Sequence, residues 1–248
     1  MARAKPNRIA RIYVPANAAH AEYSDRLPLV STVLRGMQSL LGRLYDVEVQ
    51  YDVHDFLVTD RSALGGITPE NDTRALDEAL LVAESADGAG VALYLDPGLL
   101  QRLERADPLG ALTESNLADY CTALEGVSHF VYTTWRLGRD APVSLLELET
   151  QAEVDKYAAT VFLVAHQQGG TYPSQVHPRL FDRVSFDARL EPDQYHRYRT
   201  AHRCAAQYCR RLERRFVQRG QARIEALLRE LRKFYRLGAA AKVHHALA

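Results

Sequence analysis

The sequence predicts a mostly helical α+β protein, in which a small N-terminal part of helices and strands with a β-hairpin packs on a C-terminal antiparallel helical bundle. Two patterns predict this class. Up to about residue 110, apolar residues alternate with polar ones or flank turn signals, and beyond it they recur every three or four positions. We therefore place the α+β part at residues 1–110 and the bundle at 111–248, and expect one compact unit.

The N-terminal part is predicted to contain a short strand at 9–14 and an amphipathic helix at 27–44. In the segment 47–53 apolar and polar residues alternate strictly, which is the period of a half-buried strand. Residues 60–75 are rich in turn formers and are predicted to form a loop.

A β-hairpin is predicted around Asp87-Gly88, because this pair suits a tight turn and apolar runs flank it on both sides. The alternative is a helix over 72–86. After the hairpin, Asp96-Pro97 is typical of a helix start, with an acidic capping residue followed by a proline at the first helical position.

Four long helices are predicted for the bundle, at 114–137, 144–168, 192–220 and 224–238. Gly138 and the pair Gly169-Gly170 end the first two. The third helix carries an apolar stripe at intervals of three and four, which we expect to face the core. The members of this stripe are Tyr195, Tyr198, His202, Ala205, Cys209, Leu212 and Phe216.

The formal charge of the chain is +0, but it is unevenly distributed. The segment 189–248 holds 15 Lys+Arg against 5 Asp+Glu, a difference of +10. Such asymmetry is typical of a surface that meets nucleic acid or an acidic partner. The three cysteines form no C-x-x-C pair, which favours a reducing, cytoplasmic compartment. No apolar run approaches the ~18–20 residues of a membrane span, so we expect no membrane partner.

The known nucleotide-binding and catalytic sequence motifs are absent, so a candidate site must be sought on the helices. Glu125 and His129 lie one helical turn apart, and Glu149 and Glu153 form a similar pair on the next helix. Because consecutive helices joined by a short turn pack antiparallel, we expect His129 to lie beside the second pair, with Glu153 at its height. The cluster is a candidate for acid–base catalysis or metal binding, although a di-metal site would want Glu-x-x-His on two helices.

A row of arginines lies beside the apolar stripe of the third helix. Guanidinium groups recognise phosphate, so this row is a candidate nucleic-acid or partner surface. Because the chain as a whole is neutral, we favour pairing of this row within the molecule, with Glu147, Glu149 and Glu153, over nucleic-acid binding. The arginines are Arg199, Arg203, Arg210 and Arg214.

Three hypotheses of function follow, in this order. The first is a non-enzymatic interaction or adaptor protein, which meets a protein partner or a second copy through complementary acidic and basic helical surfaces. The second is an enzyme of unknown reaction that uses the Glu/His cluster, with or without a metal. The third is a nucleic-acid-binding protein that uses the arginine row. The sequence specifies no cofactor.

Overall fold

The computed structural model describes residues 28–64, 76–85, 88–182, 184, 186, 190–217 and 223–248. Within these ranges the chain forms eight α-helices and one three-stranded sheet, which confirms the mostly helical α+β class. The helices are Pro28–Tyr45 (α1), Pro97–Arg105 (α2), Leu117–Leu137 (α3), Leu145–Gln167 (α4), Val176–Phe181 (α5), Pro192–Leu212 (α6), Ile224–Tyr235 (α7) and Ala239–Leu247 (α8). The strands are Leu57–Val58 (β1), Glu78–Ser85 (β2) and Gly88–Leu95 (β3). The predicted strand at 9–14 lies outside the described residues.

The helix starts follow from local capping chemistry. At α2, Asp96 accepts a hydrogen bond from the backbone N–H of Gly98 at 2.8 Å. At α4, the Ser144 hydroxyl accepts one from the N–H of Glu147 at 3.2 Å. Each bond satisfies an N–H group that has no partner within the first helical turn. The caps fix where α2 and α4 begin.

The predicted hairpin is present, since β2 and β3 pair antiparallel from Glu78↔Leu95 to Ser85↔Gly88. The alternative of a helix over 72–86 is therefore wrong for 78–85, and Asp87 itself lies outside the described residues. Strand β1 adds to β3 in parallel, which gives the strand order β1-β3-β2.

The prediction of a strand at 47–53 is wrong, because this segment pairs with no strand in the described part of the chain. Its backbone is held by the Gln38 side chain, which donates to Tyr51 O at 2.7 Å and accepts from Val53 N at 2.8 Å. Asp52 then caps a short 3₁₀ turn by accepting a hydrogen bond from the backbone N–H of His54, so Asp52 and His54 do not lie in a strand. An alternating pattern alone cannot distinguish a strand from an extended segment bonded by side chains.

Helices α3 and α4 form the centre of the molecule. One side of α3 packs on the hairpin and another on α4, while α6 covers α4. Aromatic rings fill the far end of α3, where Tyr45 and Tyr235 stack at 4.1 Å and Tyr132 and Trp135 pack against Tyr235. Among the described helices, none combines the length and apolar character needed to span a membrane.

The apolar stripe of α6 faces the core over most of its length. Ala205, Cys209 and Leu212 are fully buried, but Tyr195 is 40% exposed, so the prediction is wrong for the first turn of the helix. There, the Tyr195 ring packs edge-on against Phe186 instead of α4. The α-helical hydrogen bonding stops at Leu212, and the following residues 213–217 form a π-helical turn.

Candidate metal site between helices α3 and α4

Three of the predicted site residues come together between α3 and α4. Glu125 and His129 on α3 and Glu149 on α4 each offer a ligand atom, and these atoms all lie within 4.8 Å of one another. On α4, His129 pairs with Glu149 and not with Glu153, the residue expected at its height. The structure thus places His129 beside the predicted helix.

The imidazole of His129 is oriented by a residue from the sheet. Its Nδ1 lies 3.4 Å from Oε1 of Glu78, the first residue of β2. Because a carboxylate can only accept, this contact places the proton on Nδ1. Nε2 lies 3.8 Å from Glu149 Oε2 and is buried without a hydrogen-bond partner. A carboxylate on one ring nitrogen is the arrangement of a metal-binding histidine, whose other nitrogen binds the ion once it has lost its proton.

The carboxylates of the cluster also have partners on their far sides. Glu125 Oε2 accepts from Lys156 Nζ at 3.1 Å, and Glu149 Oε1 lies 3.7 Å from Arg197 Nε of α6. Lys156 also donates to Glu153 Oε1 at 2.6 Å. The fourth predicted residue, Glu153, is therefore a partner of a lysine and does not face His129.

Burial and charge act against each other in the cluster. Burial by itself lowers the pKa of His129, but the hydrogen bond to Glu78 and the carboxylates of Glu149 and Glu125 raise it to about 9. Burial raises the pKa of Glu149 to about 7, although the charge of His129 opposes this. Burial also raises the pKa of Glu78. Three carboxylates therefore surround one imidazole in a place where their charges are poorly solvated.

Glu153 behaves in the opposite way. Burial raises the pKa of Glu153, but Lys156 and His202 together have the larger opposite effect and lower it to about 2. His202 Nδ1 lies 3.6 Å from Glu153 Oε2. Glu153 is thus held as a carboxylate by cations, and we assign it to the supporting ion pairs.

The donor set of Glu125, His129 and Glu149 fits a divalent transition metal ion. Ligands of one four-coordinate ion at ~2.0–2.2 Å lie roughly 3.3–3.6 Å apart, so side-chain shifts of about an ångström would close the observed spacing. One imidazole with two carboxylates suits Zn²⁺, Fe²⁺ or Mn²⁺ better than the all-oxygen sets of Ca²⁺ and Mg²⁺. The Glu125 side chain is 27% exposed, which gives the cluster a path to solvent.

The contact of Glu78 with His129 was not predicted from the sequence, although Gly126 indicates that another element packs closely against α3 at this point. A glycine in the middle of a long helix is unfavourable by about 1 kcal/mol relative to alanine, so it needs a reason. A Cβ at this position would lie 2.8 Å from Glu78 Cγ and 2.8 Å from Leu93 Cδ1. Gly126 therefore lets β2 approach α3 closely enough for Glu78 to reach His129.

Gly126→Ala should lower the free energy of unfolding despite the better helix propensity of alanine. Crowding a packed interior usually destabilises by about 1–3 kcal/mol, which exceeds the gain in propensity. Chemical denaturation of Gly126→Ala and of Gly138→Ala provides the comparison. At Gly138 the nearest atom to a new Cβ is 3.4 Å away and φ is −63°, so that variant should unfold like the wild type. Equal stability of the two variants would contradict the close approach.

The predicted pairing of the arginine row with acids on α4 is wrong. Glu147 pairs with Arg136 at 3.8 Å, and Glu149 and Glu153 have the partners given above. Among the described residues of the basic segment, Arg197 pairs with Glu149 and His202 with Glu153, and both lie outside the row. The four arginines of the row are exposed, and none has an ion-pair partner among the residues that the structure describes. They are Arg199, Arg203, Arg210 and Arg214.

A second buried polar cluster lies on the opposite side of α4 and was not predicted. Asp155 accepts hydrogen bonds from Ser128 Oγ and Gln151 Nε2, each at 2.6 Å, and from the Tyr45 hydroxyl. Gln151 in turn accepts from Lys242 Nζ of α8, which is fully buried. Burial raises the pKa of Asp155 to about 6 and lowers that of Lys242 to about 7. Because every oxygen and nitrogen that carries charge is bonded, we interpret this cluster as structural.

No protein-family model matches the chain, and neither a curated protein nor a solved structure shows significant similarity to it. The chemistry of the Glu125/His129/Glu149 cluster is therefore the basis for a proposed function.

Proposed function

We propose that this protein is a metal-dependent enzyme that binds one divalent transition metal ion through Glu125, His129 and Glu149. The observation that carries the proposal is the buried Nε2 of His129, which has no hydrogen-bond partner and lies among carboxylate oxygens. A buried polar atom left without a hydrogen bond is unfavourable by about 1–3 kcal/mol, and a metal ion bound to Nε2 in place of its proton would remove that penalty.

The surroundings of the cluster support a metal site over a plain ion-pair network. Each of the three ligands has an outer partner: Lys156 for Glu125, Glu78 for His129 and Arg197 for Glu149. Such partners fix the orientation of metal ligands in proteins, and the carboxylate of Glu78 also raises the basicity of the His129 imidazole.

Three protein ligands are typical of catalytic metal sites, which keep one position open for water or substrate. A metal ion bound there would supply Lewis-acid chemistry. The chain itself would hold the ion in place and, through Glu78, keep the proton of His129 on Nδ1. These features favour the enzyme hypothesis over the adaptor hypothesis for this part of the molecule.

Titration of metal-free protein with Zn²⁺, Mn²⁺ and Mg²⁺ tests the proposal. We expect one equivalent of Zn²⁺ or Mn²⁺ to bind and to raise the melting temperature, with Mg²⁺ much weaker. Glu149→Gln should remove this stabilisation, whereas Glu225→Gln, at an exposed glutamate of α7, should keep it. Identical responses of both variants would show that the metal binds elsewhere, and no stabilisation of the wild type would refute the proposal.

The affinity for the metal should rise with pH between 6 and 8. Glu149, with a pKa raised to about 7, and His129, with a pKa raised to about 9, both hold protons in the lower part of this range. A ligand must lose its proton to bind, so affinity should increase by up to about tenfold per pH unit for each displaced proton. Competition titrations at pH 6, 7 and 8 measure this slope. An affinity that does not change over this range would contradict the assignment of these ligands.

The adaptor hypothesis remains a second proposal, for a protein of the cytoplasm that meets a partner or a second copy. Glu147 and Glu149 are buried and Glu153 is held in ion pairs, so these three residues do not contribute to an acidic surface. The exposed arginine row supports the basic half of the proposal, because exposed like charges attract an acidic partner.

A further inference from the structure

We propose that the exposed arginines at the end of α6 form a binding site for the phosphate backbone of double-stranded nucleic acid. This inference does not depend on the metal site, because the two sites share no residue. A groove of about 600 Å³ runs along the π-helical turn after α6. Five arginines line it together with Gln207 and Ala248, and none of the described residues of the lining has an acidic side chain. The arginines are Arg210, Arg211, Arg214, Arg215 and Arg223.

Two of these guanidinium groups are held in place before any ligand binds. Arg211 donates to the carbonyl oxygens of His245 at 2.6 Å and Ala246 at 3.4 Å, and it lies over the Tyr208 ring at 5.4 Å. Arg215 lies over the Phe216 ring at 5.2 Å. A positioned guanidinium loses little conformational entropy on binding, so the groove is preorganised for an anion.

The remaining arginines extend the positive charge beyond the groove. From Arg210 and Arg214, which line the groove, the arginine row continues along α6 to Arg203 and Arg199. All four residues lie on one side of the helix. At 1.5 Å per residue the row is about 22 Å long. This is roughly the axial length of six base pairs, so the row matches a run of phosphates better than a single small anion.

The chemistry of the groove favours a duplex over other polyanions. All of its cationic groups are arginines, whose planar guanidinium matches the oxygens of a phosphate. Where the structure describes it, the lining contains no aromatic side chain on which an unpaired base could stack, and such stacking supplies much of the affinity for single strands. A duplex presents its phosphates outward and needs no stacking surface. Binding should therefore depend on charge and not on base sequence.

Fluorescence anisotropy with a labelled 24-base-pair DNA duplex at several salt concentrations tests the proposal. Arg210→Gln/Arg214→Gln should weaken binding roughly 10–100-fold at ~0.1 M salt and reduce the slope of log K against log salt by about two. The matched control is Arg43→Gln/Arg105→Gln, which removes the same charge at two exposed arginines outside the groove. This control should bind like the wild type.

Three results would overturn the proposal. The first is no binding of the duplex by the wild type at 50 mM salt. The second is equal weakening by the two double variants, which would indicate a general charge effect. The third is competition by polyglutamate as strong as that by unlabelled duplex, which would identify an acidic protein as the partner. Each result leaves the metal titrations unaffected, so failure here is distinguishable from failure of the proposed enzyme function.

Discussion

His129→Ala should weaken binding of Zn²⁺ or Mn²⁺ by more than the roughly 10–100-fold that loss of an outer partner typically causes. The reason is that the variant loses the ligand atom Nε2 itself, whereas Glu78 and Arg197 only orient the ligands. Wild-type protein at a metal concentration of ~100 Kd should gain about 2.7 kcal/mol in free energy of unfolding, and the variant should gain close to none. Denaturant titrations with and without metal measure both values.

His166→Ala is the matched control, because His166 lies on α4 but is exposed. It should keep the full metal effect. If the cluster were only a structural ion-pair network, His129→Ala would destabilise the metal-free protein and the added metal would affect wild type and variant equally. That outcome would contradict the metal site and favour a purely structural role for Glu78 and Glu149.

Lys242→Met should lower the free energy of unfolding by about 1–3 kcal/mol at pH 7, because the buried Oε1 of Gln151 loses its hydrogen-bond donor. Lys242 Nζ donates to Gln151 and to Tyr235 O at 3.3 Å, and it lies 4.7 Å from the ring centres of Tyr132 and Phe234. Burial lowers the pKa of Lys242 to about 7, so at this pH the amine is only partly charged and balances the charge of Asp155 only in part. Lys233→Met, at an exposed lysine, should change stability by less than about 0.5 kcal/mol.

A double-mutant cycle separates the pair from its surroundings. Asp155→Asn/Lys242→Met should be destabilised by clearly less than the sum of the two single variants, because neither charge is then left alone. Urea denaturation of the four proteins provides the cycle. Additive effects would show that Asp155 and Lys242 are energetically independent, and would contradict the coupling through Gln151.

The helices and the hairpin could be predicted because their signals are local. Ser144, Asp96-Pro97 and Gly138 lie at helix ends, and the apolar period of three and four continues between them. The strand at 47–53 failed for a non-local reason, since the Gln38 side chain supplies the hydrogen bonds that a neighbouring strand would have provided. A sequence pattern cannot reveal which partner satisfies a backbone group.

The candidate site could be predicted only in the part that lies on neighbouring helices. Glu125, His129 and Glu149 followed from helical spacing and antiparallel packing of consecutive helices. Glu78 and Arg197 come from a strand and a helix far away in the sequence, so no spacing rule connects them to His129. Lys242 and Asp155 were missed because charged residues are usually exposed, and the sequence does not show which of them are buried.

The most direct test is to locate a bound ion by anomalous scattering in crystals grown with Zn²⁺, using data collected at both sides of the zinc absorption edge. We predict one strong peak between α3 and α4, bonded to Glu125, to Nε2 of His129 and to Glu149 at ~2.0–2.2 Å, with Glu78 still on Nδ1. No peak between Glu125, His129 and Glu149 at saturating zinc, with Glu149 still paired to Arg197, would contradict the metal site and with it the proposed enzyme.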